Sequence, residues 1–173
     1  MRVLKELTQL TKLNLPKNQI SDVSALAGLT QLTILSLGSN KLTDVSGLEK
    51  LTQLKVLWLN NNQLTSVKDL EKLTKLRGLS LEHNQLTNVT GLKNLTQLKE
   101  LYLLRNQLTD VKELEKLTQL EMLYLANNPA LTKAQIDQLQ KALPKCNIIS
   151  NPTLTKEESG KVIEKAIRKA AKK

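Results

Sequence analysis

Phenylalanine is absent from this 173-residue chain, and one tryptophan and two tyrosines are its only aromatics. A chain of this length buries a sizeable core, so that core has to be aliphatic, and leucine dominates the apolar residues. A single cysteine, Cys146, excludes an intrachain disulfide. Such cysteine usage suits a reducing compartment. No apolar run approaches the roughly 20 residues of a membrane-spanning helix. The opening MRVLKELTQLTKL has no uninterrupted apolar stretch of the secretory kind. The default expectation is therefore a cytoplasmic protein, replaced by a secreted or surface one if a leader precedes these residues.

The chemistry of enzymes is equally sparse. His83 is the only histidine, with neither a second histidine nor a nearby cysteine to share a metal. There is no P-loop, nucleophile elbow or paired-cysteine motif. Asp22 and Asp44 could align as carboxylates for calcium, but Ser66 and Asn88 interrupt their column. The expectation is a non-enzymatic chain with no cofactor and no metal ligands.

What the chain has is charge and repetition. The formal net charge is +10, which permits acidic partners without identifying one. The segment from Thr155 onward holds seven Lys or Arg against three Glu.

The tetrapeptide LTQL or LTKL begins at Leu7, Leu29, Leu51, Leu73, Leu95 and Leu117, always 22 residues apart. Asparagine recurs in step at Asn18, Asn40, Asn62, Asn84, Asn106 and Asn128. Each unit reads L-x-x-L-x-L-x-x-N-x-[IL], then [ST]-[DSN]-V-x-x-L. In L-x-L the side chains alternate, so the leucines enter the core and the residues between them face outward. An asparagine amide both donates and accepts, so a stacked column of them bridges successive turns. Asp22, Asp44, Ser66, Asn88 and Asp110 follow as N-cap residues. The apolar spacing of three after them fits 3₁₀ or single helical turns on the convex side.

These motifs resemble the leucine-rich repeat family in its short bacterial form. NQISDVSALAGLTQL, from Asn18 to Leu32, is similar to internalin repeats. The resemblance implies an α/β solenoid, a horseshoe with a parallel sheet on its concave side. It also implies a module that binds proteins.

The two ends depart from the repeat. Thr132 and Gln135 form a capping-box pattern, predicting a helix of about three turns that buries Ile136, Leu139 and Leu143. Leu143, Cys146 and Ile148 then repeat the frame of Leu120, Leu123 and Leu125 one residue late. That predicts a seventh strand at 145–150, with Asn151 in the asparagine column and Cys146 as a small buried hydrophobe. The solenoid is expected over residues 1–151. Residues 152–173 are expected to form a C-terminal capping helix, since repeat arrays need covered ends. At the other end, Leu4 and Leu7 align with Leu26 and Leu29 and no cap is visible. An uncovered edge there predicts weak self-association.

The register sorts every outward position into three columns. The middle one is Asn14, Ser36, Trp58, Ser80, Tyr102, Tyr124 and Asn147. The one before it is Lys12, Ile34, Val56, Gly78, Glu100, Met122 and Lys145. The one after it is Pro16, Gly38, Asn60, Glu82, Leu104, Ala126 and Ile149. All three aromatics fall in the middle column and none at a leucine position. Outward Trp, Tyr, Met and Arg are the residues enriched at protein interfaces. The expected partner-binding residues are Trp58, Tyr102 and Tyr124, flanked by Val56, Leu104 and Met122 and bordered by Arg77 and Arg105.

Two other functions compete with a protein-binding concave face. Identical surface glutamines, such as Gln31, Gln97 and Gln119, fit an engineered or recently duplicated scaffold without a natural partner. The basic surface would fit nucleic acid, but Glu82, Glu100 and Glu121 break up the basic field and disfavour that reading.

Overall fold

The computed structural model describes residues 6–151. Seven three-residue strands run in chain order and pair in parallel into one sheet: β1 Lys12–Asn14, β2 Ile34–Ser36, β3 Val56–Trp58, β4 Gly78–Ser80, β5 Glu100–Tyr102, β6 Met122–Tyr124 and β7 Asn147–Ile149. A parallel neighbour needs a crossover. Here each crossover is the rest of the 22-residue unit, which travels over the convex side and returns one rung further on. The central leucines Leu13, Leu35, Leu57, Leu79 and Leu101 therefore lie side by side in register.

The solenoid interior is a stack of leucines. Leu57, Leu59, Leu64, Leu70, Leu73 and Leu76 of one unit are all fully buried. Each contributes about 1.5–3 kcal/mol through burial. Equivalent positions repeat this in the units on either side, as in Leu35, Leu37 and Leu42 and in Leu79, Leu81 and Leu86.

The recurring asparagines form the expected ladder. Asn84 Nδ2 donates to Leu81 O of its own unit (3.1 Å) and to Leu59 O of the preceding one (3.0 Å). Its Oδ1 accepts from Leu64 N–H at 3.0 Å. Asn62, Asn106 and Asn128 make the same set. Each amide thus satisfies backbone groups that a buried turn cannot offer to water.

On the convex side, 3₁₀ helices cover Ser24–Leu26, Leu48–Lys50, Lys68–Lys72 and Lys112–Lys116. The unit around Thr90 and Gly91 has single turns instead, closed by Leu92 N–H to Val89 O at 3.1 Å and Leu95 N–H to Leu92 O at 3.0 Å, within the expectation of 3₁₀ or single helical turns. The expected N-cap residues do not cap these helices: Asp22, Ser66 and Asp110 lie one residue before the N-cap and Asp44 lies three before it. The helices are preceded directly by Val23, Gly47, Val67 and Val111, none with a side-chain cap. Asp22, Asp44, Asn88 and Asp110 instead accept from the N–H two residues on, at 2.8–3.0 Å, and Ser66 does so at 3.3 Å. These are Asx- and ST-turns. They bend the chain into the convex turn instead of capping a helix.

Gly47 and Gly91 close two of these turns at φ of 96° and 99°. A Cβ on Gly91 would lie 2.6 Å from Lys68 Cα of the neighbouring unit. Glycine is required at that contact twice over, by backbone conformation and by space.

After β6 the period breaks. Helix α1, Lys133–Ala142, starts at Thr132 with the complete capping box: Gln135 N–H donates to Thr132 Oγ1 and Gln135 Oε1 accepts from Thr132 N–H. Leu139 and Leu143 are buried and Ile136 is half-buried against the core.

The seventh strand exists, but its register differs from the sequence expectation. Leu123 pairs with Ile148 and Tyr124 with Ile149. The repeat spacing sets Ile148 opposite Leu125 and Asn147 opposite Tyr124 instead. The slip is two residues, so inward and outward faces are preserved. Cys146 is buried, as expected.

Asn151 does not join the ladder. Its Oδ1 accepts from Asn127 N–H at 2.8 Å. In earlier units that N–H position finds a backbone carbonyl, as Arg105 N–H finds Ala126 O at 2.9 Å. The expected capping helix at 152–173 lies outside the described residues.

Candidate functional site

The outward face of the sheet is built by three-residue strands that hold each side chain at a fixed rung. Rungs are ~4.8 Å apart, so the middle column sets Asn14, Ser36, Trp58, Ser80, Tyr102, Tyr124 and Ile149 in a row. Trp58 is 46% exposed, with Leu7 the most exposed of the large apolar side chains among the described residues. Tyr102 and Tyr124 are half-buried and stacked, with ring centroids 4.8 Å apart and planes 9° from parallel. The stacking distance equals the rung spacing. The sheet itself therefore sets these rings face to face.

Ser36 and Ser80, either side of Trp58, are buried. Their small side chains leave the indole standing proud, with a hollow on each flank. One hollow, about 220 Å³, lies over Ser36 beside Ile34 and Asn14. Two more open between Trp58 and Tyr102. Val56, Arg77, Gly78 and Lys99 border the first, of about 260 Å³. Asn60, Ser80, Glu82 and Glu100 border the second, of about 330 Å³.

The expected residues are thus only partly brought together. Trp58, Tyr102, Val56 and Arg77 meet around one hollow. Tyr124 and Met122 both lie on the next rung, β6, half-buried, and Met122 Sδ accepts from Asn147 Nδ2 at 3.7 Å. Leu104 is half-buried in the third column. Arg105 is exposed at the far edge, away from Arg77, and adopts a left-handed backbone at φ 54°. His83, Asn61 and Asn127 share that conformation one residue before each ladder asparagine. The asparagines at two of these positions were the available signal, since Asn tolerates that region.

The electrostatics are local. Tyr102 Oη donates to Glu100 Oε2 at 3.0 Å. Partial burial, the Glu100 hydrogen bond and charge, and the nearby Tyr124 and Glu82 raise the Tyr102 pKa above 10.0. Lys99 pairs with Glu121 at 2.7 Å. Burial pushes the Cys146 thiol up, away from the thiolate character of a reactive cysteine.

The small residues at the centre of the face, Gly78 and Ser80, were not singled out from sequence. Their signal was a rung carrying no large side chain in two columns, lodged between two aromatic ones.

Comparison with known proteins agrees with this architecture. The family profile described as "Leucine Rich repeats (2 copies)" matches residues 8–50, 52–94 and 96–141. The chain belongs to the leucine-rich repeat family. Its repeats are internalin-like. An internalin (InlF) from Listeria monocytogenes superposes with a TM-score of 0.80 at 34% identity, over 84% of this chain and 42% of that one. Internalin C2 of the same organism gives 0.80 and 34%, over 87% and 66%. A leucine-rich repeat protein from Leptospira interrogans gives 0.79 and 35%, over 84% and 38%. The chain thus spans between 38% and 66% of the length of these relatives. No curated protein sequence matches it significantly. Among the described residues, no helix is long and apolar enough to cross a membrane.

Proposed function

We propose that this leucine-rich repeat chain is a non-catalytic binding module that holds a protein on its concave sheet. Internalin-type repeats generally mediate protein–protein interaction. The observation that carries the proposal here is the placement of every aromatic on one outward column, with Trp58 exposed and hollows beside it. An apolar aromatic centre with a charged border is the anatomy of a protein interface. Val56, Leu104 and Met122 extend the apolar centre, and Arg77 and Arg105 border it.

The test is affinity capture with three immobilised forms. These are the wild type, a Trp58→Ala/Tyr102→Ala/Tyr124→Ala variant, and Lys75→Ala, which lies outside the three columns. A protein held by wild type and Lys75→Ala but lost by the triple variant identifies partner and face together. Equal capture by all three forms contradicts a concave site.

A further inference from the structure

The row of rings on the concave face has a gap one residue wide. Tyr124 and Tyr102 stack on adjacent rungs at 4.8 Å. The next rung presents Ser80, and the rung after it presents Trp58. Two rungs span about 10 Å, so a flat group over Ser80 sits about 4.8 Å from each ring.

The second hollow occupies that gap, with Trp58 and Tyr102 as walls and Ser80 at its base. Glu82 and Glu100 line it too. Neither carboxylate forms a salt bridge among the described residues. Glu100 spends one oxygen on Tyr102 Oη, and the Glu82 side chain has no hydrogen bond there. In a chain of net charge +10, two carboxylates without a salt bridge among the described residues, lining an aromatic-walled slot that no cation lines, are a local reversal of sign. Of the cations nearby, Lys99 is tied to Glu121, and Arg77 borders the first hollow, which Glu100 also lines; neither lines the slot over Ser80.

We infer that the slot between Trp58 and Tyr102 receives an arginine side chain of the protein partner, its guanidinium over Ser80 and its N–H groups directed at Glu82 and Glu100. A guanidinium is flat, stacks on aromatic faces and donates in a fork that suits carboxylates. An uncharged ring would satisfy the walls but leave both carboxylates facing an apolar group. A lysine would satisfy the charge but fill the flat gap poorly. The inference rests on the binding-module reading and names the chemistry of its centre.

Trp58, the only tryptophan, makes the slot directly observable. Blocked Gly-Gly-Arg-Gly-Gly is titrated to about 20 mM at low ionic strength, following Trp58 fluorescence. The same peptide with citrulline, lysine or phenylalanine in the centre is run alongside. Citrulline keeps the shape and removes the charge. The expected result is saturable binding of the arginine peptide, with citrulline at least about tenfold weaker. Glu82→Gln/Glu100→Gln should weaken the arginine peptide by a similar factor and leave cooperative unfolding unchanged. Tyr102 should also ionise at lower pH with the arginine peptide bound. No saturable arginine response, equal citrulline binding, or a preference for phenylalanine overturns the inference. Affinity capture separates the two claims. If the triple alanine variant still loses a partner while arginine fails, the arginine slot falls and the binding module stands. If arginine binds while no captured protein depends on the face, the binding module falls.

Discussion

Tyr124 lies flat against Tyr102, with ring centroids 4.8 Å apart and planes 9° from parallel, and Tyr102 Oη is hydrogen-bonded to Glu100 Oε2 at 3.0 Å. One face of Tyr102 is thus covered and the other looks across Ser80 to Trp58. The pair is fixed by the parallel register of β5 and β6, so it needs no induced rearrangement to present a rigid aromatic surface. Rigid, ordered aromatics lose little entropy on binding.

The Tyr102 environment is testable by titration. Burial comes first, then the Glu100 hydrogen bond and charge, in raising its pKa above 10.0. In the folded state the phenol holds its proton more tightly than in the unfolded chain. Stability is therefore fully present below about pH 10 and declines as pH rises through the folded pKa. Ultraviolet titration in a Tyr124→Phe background isolates the residue. Adding Glu100→Gln should bring its ionisation down towards 10.0. An unchanged midpoint would show that Glu100 does not act on it.

The asparagine ladder should be costly to break in the middle and inexpensive at its start. Asn84→Ala leaves the buried Leu64 N–H and Leu59 O without their side-chain partner. Unsatisfied buried groups cost about 1–3 kcal/mol each, so a loss of about 3 kcal/mol is expected in urea unfolding. Asn18 is exposed and bonds only its own turn among the described residues, at Leu15 O and Pro16 O. Asn18→Ala should cost less than about 1 kcal/mol. Similar losses for the two would refute the ladder's role.

Gly91 and Gly28 form a second contrasting pair. Gly91→Ala places a Cβ 2.6 Å from Lys68 Cα with φ at 99°, and should lower stability by more than about 2 kcal/mol. At Gly28 a Cβ meets nothing within 4 Å. Gly28→Ala should be neutral or stabilising by up to about 1 kcal/mol through the unfolded chain. Thermal or urea unfolding of both variants decides it.

Repetition explains what was legible beforehand. A local reading of Leu57-Trp58-Leu59 suggests a buried tryptophan, because all three are large and apolar. The 22-residue register puts the leucines inside and the indole outside, and the structure agrees. The register fails only where helix α1 replaces the usual turn. Three extra residues separate β6 from β7, and Cys146 takes a buried place before the strand begins. Sequence spacing counts residues, whereas pairing depends on the path the helix takes. Asp22, Asp44, Ser66 and Asp110 read as N-caps because a side chain bonding two residues ahead looks the same, in sequence, as a helix cap. The slot over Ser80 was not legible, since it is defined by what Gly78 and Ser80 lack. Left-handed residues such as Lys17, Ser39 and Arg105 carry no signal of that conformation, because none is a type enriched at positive φ, whereas Asn61, His83 and Asn127 are.

Whether the aromatic column binds a partner or merely shields the sheet is decided by one variant, Trp58→Ala, measured two ways. Thermal unfolding reports its part in the fold, and titration against the captured partner reports its part in recognition. An exposed indole that serves an interface leaves the midpoint within a few degrees and weakens binding by more than about 1 kcal/mol, about fivefold. A large fall in the unfolding midpoint with unchanged affinity would make Trp58 structural and contradict the concave binding site.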